Sequence, residues 1–155
     1  MIIQRWQSVL LLISFVMMLI FSVCSLGQFQ LPDYTLDFVS WGIFSEGVPT
    51  DGASAFSMPT VYLCVISLLS SVLFLIDIFL YKNFRLQKRV LLISLLVAFF
   101  AIAQTAVVGY TAIEGASPQW SSIVISPFIA LVSGIMAYRL IKKDHARLKS
   151  YDRLR

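Results

Sequence analysis

The chain has 155 residues, 59% of them apolar and only 13% charged, with a formal charge of +4 and a mean hydropathy of +0.86. A soluble domain carries about 25% charged residues, a disordered tail combines low hydrophobicity with high net charge, and a nucleic-acid binder needs a solvated basic face. The composition excludes all three and leaves an all-α integral membrane protein, a single domain built of spanning helices.

A span needs about 20 largely apolar residues to cross a hydrocarbon core about 30 Å thick. The first predicted span covers residues 6–26, its apolar run interrupted by Ser14. That run exceeds the roughly 7–15 residues of a signal-peptide core, which favours a retained helix. Residues 28–59 form a first outer loop too long for a structureless connection. Within it Tyr34-Thr35-Leu36-Asp37-Phe38 alternates as a half-buried strand does, and Trp41-Gly42 and Asp51-Gly52 are turn signals. The loop therefore reads as a short β-hairpin over the helix ends. Its aromatic residues Phe38, Trp41, Phe44 and Phe56 would also suit a docking surface.

The second span, residues 60–80, begins just after Met58-Pro59, where a proline suits a helix start. Residues 81–89 form a short connection. The third span, 90–113, carries Gln104 and Thr105 near its midpoint, and the fourth, 123–141, has Pro127 in its first turn, where a missing amide donor is tolerated. Residues 142–155 continue the fourth helix as a basic extension with a weak stripe at Leu148, Tyr151 and Leu154.

Lysine and arginine set the orientation, because cytoplasmic segments carry the excess. Arg5, Lys82, Arg85, Lys88, Arg89, Arg139, Lys142, Lys143, Arg147, Lys149, Arg153 and Arg155 are all 12 bases of the chain, and every one falls on the same side of the predicted spans. The opposite loops hold Asp33, Asp37, Glu46, Asp51 and Glu114. Both termini are therefore expected in the cytoplasm, with the basic side against anionic lipid at about 1 kcal/mol per base.

Little in the spans suggests chemistry. Asp77 and Gln104 are the candidate intramembrane polar groups. Asp77 lies about a turn before Lys82 and Arg85 and is expected to pair with them at the interface, or else to couple an ion or proton. Gln104 is expected to hydrogen-bond a neighbouring helix. Small multidrug transporters carry a Glu in their first helix, and this first span has no acid. Cys24 and Cys64 would lie at similar depth at the outer ends of neighbouring helices; a disulfide needs Cα atoms within about 7 Å, and two inert thiols are the simpler expectation. The chain has no Cys-x-x-Cys pair, and His145 is its single histidine, so neither a thiol redox centre nor a metal site is expected. Small residues at spacing four, Ala101, Thr105 and Gly109 in the third span and Ser126, Ala130 and Gly134 in the fourth, mark helix-packing faces, either against one another or in a dimer seam.

Three strings carry a resemblance: the opening Met1-Ile2-Ile3-Gln4-Arg5-Trp6-Gln7-Ser8, the junction running from Phe79-Leu80-Tyr81-Lys82 to Gln87, and the ending with Ile141-Lys142-Lys143-Asp144 and Asp152-Arg153-Leu154-Arg155. The chain resembles an uncharacterised family, a domain of unknown function, of small four-helix inner-membrane proteins of Bacteroidota. The resemblance implies a bacterial inner-membrane location, a periplasmic outer side and no catalytic residues. It directs attention to the cytoplasmic face formed by Arg5, Lys82, Arg85, Lys88, Arg89, Lys142, Lys143, Arg147, Asp152, Arg153 and Arg155. The resulting expectation is a four-helix bundle without cofactor or nucleic-acid partner. It would act as a non-enzymatic accessory subunit or scaffold in a membrane complex, with a small homodimeric transporter or channel using Asp77 and Gln104 as the alternative.

Overall fold

The computed structural model describes residues 2–31, 35–46, 57–113 and 118–152. Four long helices carry the apolar runs: α1 (Ile2–Val23), α2 (Val61–Phe79), α3 (Phe84–Thr111) and α4 (Ser126–Asp152). Each contains a segment long and apolar enough to cross a membrane. They pack in a closed ring, α1 on α2, α2 on α3, α3 on α4 and α4 back on α1, and the α3–α4 seam is the least extensive of the four.

Each helix buries one stripe. On α1 it is Gln7, Leu11, Ser14, Met18 and Phe21; on α2 it is Leu63, Ser67, Ser70, Ser71, Phe74 and Asp77. Such spacing of three and four residues places a set on one helix face. The outward faces are more apolar than the inward ones: Phe79 is 71% exposed, Phe99 63%, Leu96 60% and Val132 59%. Apolar surface on that scale is untenable in water and suits lipid.

The described parts of the connections between α1 and α2 and between α3 and α4 form more than a hairpin. Strands β1 (Ser25–Gln30), β2 (Thr35–Val39), β3 (Gly42–Glu46), β4 (Ser57–Pro59) and β5 (Pro118–Trp120) form one antiparallel sheet in the order β4-β3-β2-β1-β5. The expectation of an all-α chain with a single hairpin is thus corrected to a helical bundle capped by five strands, one of them from the connection between α3 and α4. The reason is the pleat: Phe29, Leu36, Phe38 and Ile43 are buried while the neighbouring positions face away, so the sheet seals the apolar end of the bundle. Strand β1 begins inside what reads as the first span, because apolar content alone does not separate a helix end from a buried strand.

Buried hydroxyls fasten the sheet to the helices. Ser40 Oγ donates to the Ser22 carbonyl near the end of α1, and Thr60 Oγ1 donates to the Ser40 carbonyl at 3.2 Å just before α2. The Thr60 amide donates to the Trp41 carbonyl and the Ser121 amide to the Leu26 carbonyl.

At the other end the connection expected over residues 81–89 shrinks to a 3-10 turn, Leu80–Lys82, followed by Asn83. Helix α3 starts at Phe84, so Arg85, Lys88 and Arg89 are helical. An apolar run marks only the part of a helix in hydrocarbon, and backbone hydrogen bonding continues past it. Helix α4 likewise runs on to Asp152, as expected of the basic extension.

Candidate functional site

Two regions concentrate polar side chains. The first is the seam between α2 and α3 at the end away from the sheet. Asp77 is fully buried. Ser94 Oγ donates to its Oδ2 at 3.2 Å, Gln87 Nε2 donates to its main-chain carbonyl at 3.1 Å, and Ser70 Oγ donates to the Ser94 carbonyl at 3.3 Å. Asp77 Oδ1 and Gln87 Oε1 are buried with no hydrogen-bond partner among the described residues. The expected interfacial pairing of Asp77 with Arg85 is therefore not what the fold builds: the carboxyl is buried while Arg85 is exposed, and the side chain of Lys82, the other expected partner, lies outside the described residues. Because the connection is so short, the first turns of α3 lie beside the last turns of α2. That places Gln87, expected in the loop, against Asp77.

Gln104 stands apart from this cluster. It is half-buried and follows Ser94 by ten residues, about 15 Å farther along α3 at 1.5 Å per residue.

The bundle interior carries more polar contacts than the composition suggested. Ser14 Oγ on α1 lies 2.6 Å from Ser133 Oγ on α4 and donates to the Ala130 carbonyl at 3.0 Å. Ser71 Oγ on α2 donates to the Phe15 carbonyl on α1 at 3.2 Å. Gln7 Nε2 donates to Asp144 Oδ2, joining the start of α1 to the extension of α4. The readable signal was spacing: Ser67, Ser70, Ser71 and Phe74 share one face of α2.

The small residues are all buried: Ala101, Thr105 and Gly109 on α3, and Ser126, Ala130 and Gly134 on α4. They serve different neighbours. A Cβ on Gly134 would stand 2.8 Å from Leu95 and 3.2 Å from Phe74, whereas one on Gly109 would stand 2.2 Å from the Trp120 ring. The Ala130 carbonyl accepts from Ser14 Oγ on α1 and from Ser133 Oγ on its own helix. Cys24 and Cys64 are free thiols, both half-buried.

The second region is the base-rich end. Arg85 and Arg89 on α3 and Arg139, Lys142 and Lys143 on α4 are exposed, and Lys88 is half-buried. All lie at the helix ends away from the sheet. The backbone of α4 carries Arg147 and Asp152 in the same extension, and that of α1 places Arg5 in its first turns. The position of Lys82 is the last of the 3-10 turn. Arg153 and Arg155 lie outside the described residues. No group of three or more His, Cys, Asp or Glu able to hold a metal occurs among the described residues.

Comparison with curated proteins finds no match. The chain does match the family described as domain of unknown function (DUF4293) over residues 3–154, nearly its whole length, and it belongs to that family.

Proposed function

We propose that this chain is a non-enzymatic accessory subunit or scaffold of a bacterial inner-membrane complex, with both termini cytoplasmic and its base-rich end presented to a partner. The observation that carries the reading is the separation of chemistry along the bundle. Exposed charge gathers on α3 and α4 at one end, whereas most polar groups inside the bundle are engaged in helix-to-helix hydrogen bonds. Intramembrane hydrogen bonds of this kind hold helices together. Nucleophilic or acid–base catalysis needs groups converging on a substrate. The absence of Lys and Arg between residues 6 and 81 and between 90 and 138 supports the orientation. Anionic lipid would attract the same basic end. Replacing Arg85, Arg89, Lys142 and Lys143 by alanine is expected to abolish co-purification of a partner from gently solubilised membranes while insertion persists; unchanged co-purification refutes the reading.

A second reading, a small homodimeric transporter or channel, is favoured by one observation: Asp77 is a buried carboxyl with an unpartnered oxygen inside a spanning helix, and such groups often serve transport. Asp77 and Gln104 would be its polar positions. It requires Asp77→Asn to change ion or proton flux in reconstituted vesicles, and the scaffold reading expects no change.

A further inference from the structure

Trp120 of β5 forms a wall of two neighbouring cavities of opposite character. Toward the sheet lies a polar pocket of about 330 Å³ lined by Ser25, Gly27, Gln28, Gln119 and Ser121 together with Trp120. Toward the bundle lies an apolar cleft of about 180 Å³ along the α3–α4 seam, lined by residues including Phe21, Ile102, Ala106, Val124 and Phe128. Apart from the amphipathic rings of Tyr110 and Trp120, the polar side chain of that cleft is Thr105, which already donates its hydroxyl to the Ala101 carbonyl at 2.9 Å.

The shared indole is held in place. Its ring packs edge-on against Phe38 at 6.3 Å and Tyr110 at 6.1 Å, and the bare Cα of Gly109 leaves the space it occupies. Tryptophan is suited to the boundary between hydrocarbon and water, with an apolar body and one polar edge. The cleft opens on the least extensive seam of the bundle, beside the exposed rings of Tyr110 and Phe128.

The geometry points to a lipid-binding site at the sheet end, with an acyl chain in the α3–α4 cleft and an uncharged, hydroxyl-rich head in the pocket above Trp120. Two features choose the head. The pocket's side chains are carboxamides and hydroxyls, which both donate and accept hydrogen bonds and carry no charge. A phosphate head is best held by Arg or Lys, and neither residue occurs between positions 6 and 81 or 90 and 138. The Gln28 amide is braced by donation to Asp37 Oδ1 at 2.9 Å, and the Gln30 amide donates to Gln119 Oε1 at 3.3 Å, so the carboxamides of β1 and β5 form an organised polar row. A pocket of this size is at the small end of the range for specific small-molecule sites, which suits a single sugar or glycerol unit.

The test uses the full chain with Trp6→Phe and Trp41→Phe, leaving Trp120 as the one tryptophan of the original three. Reconstituted in phosphatidylcholine vesicles, it is titrated with glucosyl-diacylglycerol bearing brominated acyl chains, and separately with phosphatidylglycerol bearing the same chains. The expected result is half-maximal quenching of Trp120 at a mole fraction about tenfold lower for the sugar lipid. Ala106→Phe, which fills the cleft, reduces quenching to that of the anionic lipid. Gln119→Leu, a change at an exposed position that leaves the cleft intact, removes the preference between heads. Equal mole-fraction dependence for the two lipids, as for lipid that merely surrounds the helices, overturns the proposal. A preference that Gln119→Leu leaves untouched overturns it as well.

Discussion

Asp77 shows how a local rule yields to packing. Its distance from Lys82 and Arg85 along the chain suggests an interfacial ion pair, but the helical phase that carries Ser67, Ser70 and Phe74 inward carries Asp77 with them. Its carboxyl Oδ1 and Gln87 Oε1 are unpartnered acceptors, and an asparagine would supply N–H donors in the same volume. Asp77→Asn is therefore expected to leave unfolding stability in detergent unchanged or raised by up to about 1 kcal/mol, whereas Asp77→Leu should lower it by about 2 kcal/mol through loss of the Ser94 contact and misfit. Loss of stability in the asparagine variant would count against this arrangement. The Ser14–Ser133 contact offers a second test: a double-mutant cycle with alanine at both positions should give a coupling of about 0.6–1.7 kcal/mol, and a coupling near zero would mean the two hydroxyls do not interact. Serine is common enough in spans that neither contact was legible from residue type. Only the spacing on a shared face carried the information.

The helices were legible as elements because twenty-residue apolar runs admit one backbone solution in lipid. Their ends were not, for different reasons at the two ends of the bundle. At the base-rich end α3 begins six residues before the expected start because charged residues are good helix formers outside hydrocarbon. At the sheet end Leu26 and Phe29 are as apolar as the helix before them, and what makes them a strand is pairing with β2 and β5. The alternation in Thr35-Leu36-Asp37-Phe38 correctly marked β2, but β5 has three residues and no readable period. Its place is fixed by Gly27, where a Cβ would come within 2.5 Å of the Gln119 carbonyl. Gly27→Val should accordingly free β5 from the sheet, read as faster amide exchange at Ser121, whose N–H donates to the Leu26 carbonyl. Unchanged protection would show that β5 does not depend on that close approach. Gly109→Ala tests the same end from the helix side: the added methyl displaces the Trp120 ring, and in the single-tryptophan protein its emission should shift to longer wavelength. An unshifted emission would place the ring elsewhere.

For the molecule as a whole, the formal charge of +4 conceals a polarity along the sequence, since all 12 bases fall outside residues 6–81 and 90–138, the stretches that hold six of the eight acids. The bundle has apolar faces toward lipid and hydrogen-bonded faces toward its own interior. That the chain has helices long and apolar enough for a membrane was legible from composition, and the sharing of the sheet between two inter-helix connections was not, because pairing between segments roughly ninety residues apart leaves no local trace. The reading as an accessory subunit concerns the base-rich end, and the direct measurement is the mass of the natively extracted, tagged full chain beside its Arg85→Ala, Arg89→Ala, Lys142→Ala, Lys143→Ala variant. The account predicts a reproducible complex well above the 17.4 kDa of one chain, reduced to monomer or dimer in the variant. A bare monomer or dimer from both proteins would contradict it.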